Sequence, residues 1–240
     1  MMARRGVLGM LAGGAAALLS GCGLFGGNSY RYKIAAEVDT PEGMKTGFAV
    51  HETTVHKSSV DLGELSPKQS SNTRGEAVAV DLPGAQTLFV LVPGEGAVIN
   101  ALTQNDTGAW IDKAMQILDG DIPAGPQNIR FSKPENYNKS KEYPLLVRFR
   151  DINDPKSVEL VQPDDLAASF GAGVKLRRLT VEVTDEDVTV GIRERLEWLS
   201  KEALPREVGP RLERLPSGGT TRPTFGQRIS HGDFIGGVEK

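Results

Sequence analysis

Tyr30-Arg31-Tyr32-Lys33-Ile34-Ala35-Ala36-Glu37-Val38 is the stretch that decides the fold. Tyr30, Tyr32, Ile34, Ala36 and Val38 take every second place, alternating with Arg31, Lys33, Ala35 and Glu37. Successive side chains of an extended backbone leave opposite faces, so this spacing predicts a strand with one buried and one wet face. Thr40-Pro41-Glu42-Gly43 follows as a turn, because proline presets its φ and glycine accepts a positive one. Lys45 to Val55 then reads as the return strand of a hairpin. Apolar-in, polar-out alternation of this kind belongs to antiparallel sheet.

The same reading extends along the chain. Leu62 to Gly75 is polar, with Pro67, Lys68 and a run of serines, and reads as a loop. Glu76–Leu82 and Gln86–Val92 read as strands joined through Pro83-Gly84; Thr87-Leu88-Phe89-Val90-Leu91-Val92 is apolar enough for a central strand buried on both faces. Ala109–Leu118 places Trp110, Ala114 and Ile117 on one side and Asp112, Lys113, Gln116 and Asp119 mostly opposite. That spacing predicts a short amphipathic helix stopped by Gly120. Pro123–Lys141 reads as loop, Leu145–Phe149 and Ser157–Val161 as strands, and Pro163–Phe170 as a two-turn helix. Leu179, Val181 and Val183 alternate as a strand, and Thr189–Leu199 reads as a helix with Ile192, Leu196 and Leu199 inward. From Lys201 to Lys240 the periodicity is lost and proline and glycine rise, which predicts a largely irregular tail, draped over the domain or mobile around His231. The fold class expected is α+β, mainly antiparallel sheet with two or three short helices. The domain is expected over 30–199, with 120–142 as the place where two small halves would divide, and 200–240 as the tail.

The N-terminus carries a separate message. Arg4 and Arg5 precede an apolar run from Gly6 to Ser20, too short and glycine-rich to span a bilayer stably. The run ends in Leu19-Ser20-Gly21-Cys22. This resembles the lipobox of bacterial lipoproteins. The resemblance implies that Leu19, Ser20 and Gly21 are read by the signal peptidase, that residues 1–21 are removed, and that the Cys22 thiol carries a thioether-linked diacylglycerol. Two or three acyl chains, at roughly 0.8 kcal/mol per buried CH₂, hold a protein at a membrane. Residues 22–29 are glycine-rich and read as a tether. Gly23, rather than an aspartate, follows the cysteine and favours the outer membrane. The expected location is therefore the cell envelope, facing the periplasm.

Removing residues 1–21 leaves 26 basic and 31 acidic side chains, a net charge near −5. No basic excess favours nucleic acid. Cys22 is the only cysteine, so the fold stands without an intramolecular disulfide, and an acylated Cys22 is unavailable for thiol catalysis.

Several motifs invite a chemical reading and fail on spacing. His51-Glu52-Thr53-Thr54-Val55-His56 sets its histidines five apart in a β-branched run, whereas a zinc-protease helix needs four. Strand alternation sends the two rings to opposite faces. Gly94-Glu95-Gly96 lacks the third glycine of a nucleotide-binding turn, because Ile99 stands there, and reads as a plain turn. Asp151, Asn153 and Asp154 lack the glycine and glutamate of a calcium loop, Lys156 and Gln162 occupying those places. Asp185-Glu186-Asp187 reads as a solvated turn, Lys175, Arg177 and Arg178 as a solvated basic patch, and His231-Gly232-Asp233 as part of the mobile tail. No catalytic residue, metal ligand or cofactor site is assigned.

The block Asp151–Ser157, then Pro163-Asp164-Asp165-Leu166, then Leu179–Thr184 and Gly191-Ile192, resembles a recurring uncharacterised family of Gram-negative bacterial proteins, many with lipobox signals. The resemblance transfers no site. The function expected is that of a lipid-anchored envelope protein with a binding or structural role, attached to the membrane through Cys22 and partnered by an envelope protein or polymer. The alternatives are a hydrolase of envelope polymers and an accessory subunit of an envelope assembly machine.

Overall fold

The computed structural model describes residues 28–56, 70–129, 143–199, 211–213 and 224–237. Among them lie ten strands in two antiparallel sheets and four helices, two of them longer than a single turn, an α+β fold that is mainly β.

The opening hairpin is as the alternation predicts, and longer. β1 (Ser29–Thr40) alternates strictly between buried and half-buried residues, with Tyr30, Tyr32, Ile34, Ala36 and Val38 inward. β2 (Gly43–His56) pairs with it in a register that sets Tyr32 opposite His51 and Tyr30 opposite Thr53. The glycine-rich tether ends sooner than expected, since β1 already starts at Ser29 and the Asn28 carbonyl accepts the Val55 N–H.

β3 (Ser70–Glu76) overturns the expectation of a loop up to Gly75: its polar residues form a strand because β2 supplies the ladder, from Glu52 opposite Arg74 to His56 opposite Ser70. Ala77 alone separates β3 from β4 (Val78–Leu82), so one continuous stretch passes from the first sheet into the second. β5 (Gln86–Val90) pairs with β4 and is buried on both faces: Leu88 and Val90 enter one hydrophobic core, and Phe89, with Leu91 beyond the strand, enters another.

α1 (Glu95–Thr103) follows where only a turn was expected. It buries Ala97, Val98, Ile99, Ala101 and Leu102, nearly all round its circumference, so it shows no amphipathic stripe to read. α2 (Trp110–Leu118) matches the expected helix, except that Lys113 turns inward and donates to the Asn100 side chain at 2.7 Å. β6 (Gln127–Asn128) is a two-residue strand. β7 (Leu146–Phe149) and β8 (Val158–Val161) complete the second sheet, in the order β4-β5-β7-β8. α3 (Ala167–Phe170) is one turn where two were expected. β9 (Lys175–Val183) closes on β1, Tyr32 facing Val183.

The helix expected over Thr189–Leu199 is shorter, α4 (Ile192–Arg195) followed by a 3₁₀ turn at Glu197–Leu199. Thr189 is spent elsewhere: its N–H donates to the Val50 carbonyl and its hydroxyl accepts the Val50 N–H. Ile192, Leu196 and Leu199 do face inward, joined by Trp198. β10 (Ile235–Gly236) pairs with β3 and ends the first sheet, ordered β10-β3-β2-β1-β9-β6.

Two cores result. The first lies between the inner face of the six-stranded sheet, α1, α2 and one face of the four-stranded sheet. The second lies on the other face of the four-stranded sheet and is roofed by Ile192, Leu196, Trp198 and Leu199, with Leu212, Ile229 and Phe234 from beyond residue 200. The described part of the C-terminal stretch is therefore irregular but not peripheral. Phe234 is fully buried and stands edge-on to Trp198 at 5.6 Å. In its described part the irregular stretch is draped on the second core, and only the mobility expected around His231 is corrected: aromatic burial fixes a segment that has no periodicity of its own.

Candidate cleft where β3 leaves β2

The site begins with a divergence of two strands. β3 follows β2 as far as Arg74, then swings away toward β10 and the second sheet. Gly75 makes the bend, at φ +148°, and the His51 ring fills the corner beneath it; a Cβ on Gly75 would lie 2.2 Å from His51 Cδ2. Into the gap beside β2 comes the segment Asp187–Ile192, fixed by Thr189 on Val50 and by the Ile192 N–H, which the buried Glu76 carboxylate accepts at 2.7 Å.

What remains between these segments is a cleft of about 410 Å³. Gly75, Gly236 and Gly237 lend it backbone surface, and Val188, Val190, Ile192 and Ile235 give it apolar walls. Arg74 and Arg193 bring two guanidinium groups. Arg74 is held by Glu52 at 2.7 Å, whereas Arg193 is exposed and has no ion pair among the described residues. Val190 is 79% exposed, the most exposed large apolar residue described. No histidine lines the cleft.

His51 belongs to a polar cluster on the inner side. Its ring stacks on Tyr32 at 5.2 Å, neither buried ring nitrogen makes a well-formed hydrogen bond among the described residues, and burial, opposed by the Glu76 and Ala49 backbones, pushes its pKa down to about 4. Burial also raises the Tyr30 and Tyr32 phenols far above their usual range. The Thr53 and Thr73 hydroxyls bond each other at 2.7 Å, and Ser71 donates to Glu95 at 2.7 Å. His51, Tyr30, Tyr32 and Thr53 of this cluster are buried.

A second cavity, of about 690 Å³, lies beside the β4–β5 turn and is rimmed by Arg148 and Arg150. Both guanidiniums are committed to Glu159, at 2.8 and 3.0 Å.

The motifs weighed from sequence settle into local roles. Leu19, Ser20, Gly21 and Cys22 lie outside the described residues. His51 is buried and His56 exposed, as alternation on β2 demands. Gly94-Glu95-Gly96 leads into α1. Asp151 and Asp154 spend their carboxylates on the Asn153 and Lys156 N–H groups of a tight turn. Glu186 and Asp187 clip onto Lys33 and Arg31 on the outer face of β1. Arg177 and Arg178 pair with Asp39 and Glu37. His231 is the clearest correction: it is buried against Trp198, at the start of a 3₁₀ turn capped by Ser230 and Asp233. Among the described residues, no three His, Cys, Asp or Glu side chains gather as they would to hold a metal ion.

Sequence reasoning missed the cleft itself. Its walls come from 74–76, 187–193 and 235–237, which only the topology brings together. The one available signal was Val188-Thr189-Val190, β-branched residues that suit extended chain better than the start of a helix. Set against known proteins, the chain matches no family model, no curated protein and no solved structure.

Proposed function

We propose that the protein is a bacterial envelope lipoprotein, acylated on Cys22, whose folded domain binds a partner at the membrane surface. The observation that carries this is the position of Leu19-Ser20-Gly21-Cys22, directly ahead of a β domain whose described part opens with the Asn28 carbonyl accepting the Val55 N–H. Residues 23–27 span at most about 18 Å when fully extended, so the domain stays close to its anchor. No helix among the described residues is long and apolar enough to cross a membrane. Gly23 favours the outer membrane as the one that holds the anchor.

What supports binding over hydrolysis is the character of the cleft. Its open groups are the Arg193 guanidinium, backbone, valine side chains and one outward-facing carboxylate, Asp187, while His51 and His231 are buried. The test is metabolic labelling with an alkyne analogue of palmitate, followed by intact-mass measurement. The expected result is a chain beginning at Cys22 with added acyl mass, and an unprocessed, unlabelled precursor for Cys22→Ser. A mature chain with a different N-terminus sinks the anchor reading.

A further inference from the structure

We propose that the cleft between β10–β3 and residues 187–193 receives an extended peptide strand, which pairs with the main chain of Val188 and Val190 and sets a carboxylate on Arg193. This rests on the binding role proposed above and supplies the chemistry of the partner.

Three observations carry it. The first is an open row of main-chain groups. Thr189 turns its N–H to the Val50 carbonyl. Val188 and Val190, on either side of Thr189, both line the cleft, and no main-chain hydrogen bond of either is formed among the described residues. Unpaired main-chain donors and acceptors beside a groove are what a strand-adding peptide uses.

The second observation is charge. Arg74 is neutralised by Glu52, Arg195 by Asp81 in a two-pronged pair at 2.6 and 2.8 Å, and the Glu76 carboxylate is occupied by the Ile192 N–H. Asp187 also lines the cleft, but its side chain stands fully in solvent and leans on Arg31. Among the described residues Arg193 is left as the cleft's cation without a counterpart, and a planar guanidinium favours a carboxylate. The third observation is apolar surface: Val190 stands at the rim, with Val188, Ile192 and Ile235 behind it. A peptide that alternates valine-like and acidic side chains meets all three features, and about 410 Å³ fits a segment of a few residues.

The probe is a fluorescein-labelled acetyl-Val-Glu-Val-Glu-Val-amide, titrated by fluorescence anisotropy against the full mature chain in detergent. Saturable binding is expected, weakened about tenfold by Arg193→Ala and by replacing both glutamates of the peptide with glutamine. Methylating alternate peptide nitrogens should abolish binding while leaving charge and side chains in place. Arg193 is exposed, so Arg193→Ala should keep the wild-type thermal transition. The inference is overturned by an affinity that Arg193→Ala leaves unchanged, by equal binding of the N-methylated peptide, or by no saturation up to millimolar peptide. Equal displacement by polygalacturonate, an anionic glycan without amides, also overturns it. Acylation is read on the same sample. An acylated protein that ignores the peptide removes this inference and leaves the anchor, while peptide binding by an unacylated chain removes the anchor alone.

Discussion

His51 and Gly75 share one volume. The imidazole lies where the glycine has no side chain, and a Cβ there would sit 2.2 Å from the ring. Gly75→Ala adds this clash to a backbone at φ +148°, which residues with a side chain rarely adopt. The expected loss is roughly 3 kcal/mol, from overpacking and backbone strain together. Urea denaturation should show His51→Ala recovering part of that loss in the double variant, because the two residues are coupled. Strict additivity would count against the contact.

His51 also sets a pH dependence. Its folded-state pKa is pushed down by burial, from an ordinary 6.5 to about 4, so the fold favours the neutral ring. That contribution is complete above about pH 6.5 and is lost as pH falls toward 4, a swing of roughly 3 kcal/mol. The groups against the ring are Tyr32 and the backbones of Gly75, Glu76 and Ala49, and the Tyr32 phenol keeps its proton throughout. His51→Phe preserves the stack on Tyr32, so its stability should fall less than wild type between pH 7.5 and 4.5. Parallel curves for the two proteins would show that His51 does not titrate across the transition.

Gly47 reports the contact between the sheets. A Cβ on it would lie 2.1 Å from the Ala79 carbonyl oxygen on β4. Backbone against backbone has little freedom to yield, so Gly47→Ala should cost about 3 kcal/mol or more. Gly43→Ala is the comparison. Nothing lies within 4 Å of that site, only its φ of +110° is unfavourable, and about 1–2 kcal/mol is expected. Equal urea midpoints for the two variants would mean that β4 does not press on β2.

The C-terminal stretch is predicted to be indispensable. Phe234→Ala removes a fully buried ring from the second core, at about 3–5 kcal/mol. Deleting residues 224–240 should abolish the cooperative thermal transition and shift Trp198 emission to the red, since Phe234 and His231 both pack on that indole. An unchanged transition would return this segment to the role of an appendage.

The hairpin was legible because β1 obeys one rule without exception, alternate burial from Ser29 to Thr40. Elements that depend on their neighbours were not. β3 is polar because its pairing with β2, rather than its own side chains, holds it in place. α1 is buried almost all round and so carries no period. The 189–199 segment has helical spacing, but Thr189 finds better hydrogen bonds on Val50 and the helix is cut to its end. The candidate cleft was invisible for a related reason: Arg74, Arg193 and Ile235 are neighbours only after the strands have been ordered. The proposed lipobox rests on the linear motif Leu19-Ser20-Gly21-Cys22, which needs no folding to be read.

The pairing of β1 with β9 has a consequence in time. Tyr32 meets His51 in a local hairpin, but its other edge waits for Val183. Until β9 has been synthesised, the first strand of the sheet keeps one row of main-chain groups open, beside a face that includes Tyr30, Ile34 and Val38. Contacts so distant along the chain slow folding, and a half-paired hairpin is a ready template for aggregation. The chain is therefore expected to stay prone to aggregation until Lys175–Val183 pairs with β1 and seals the edge.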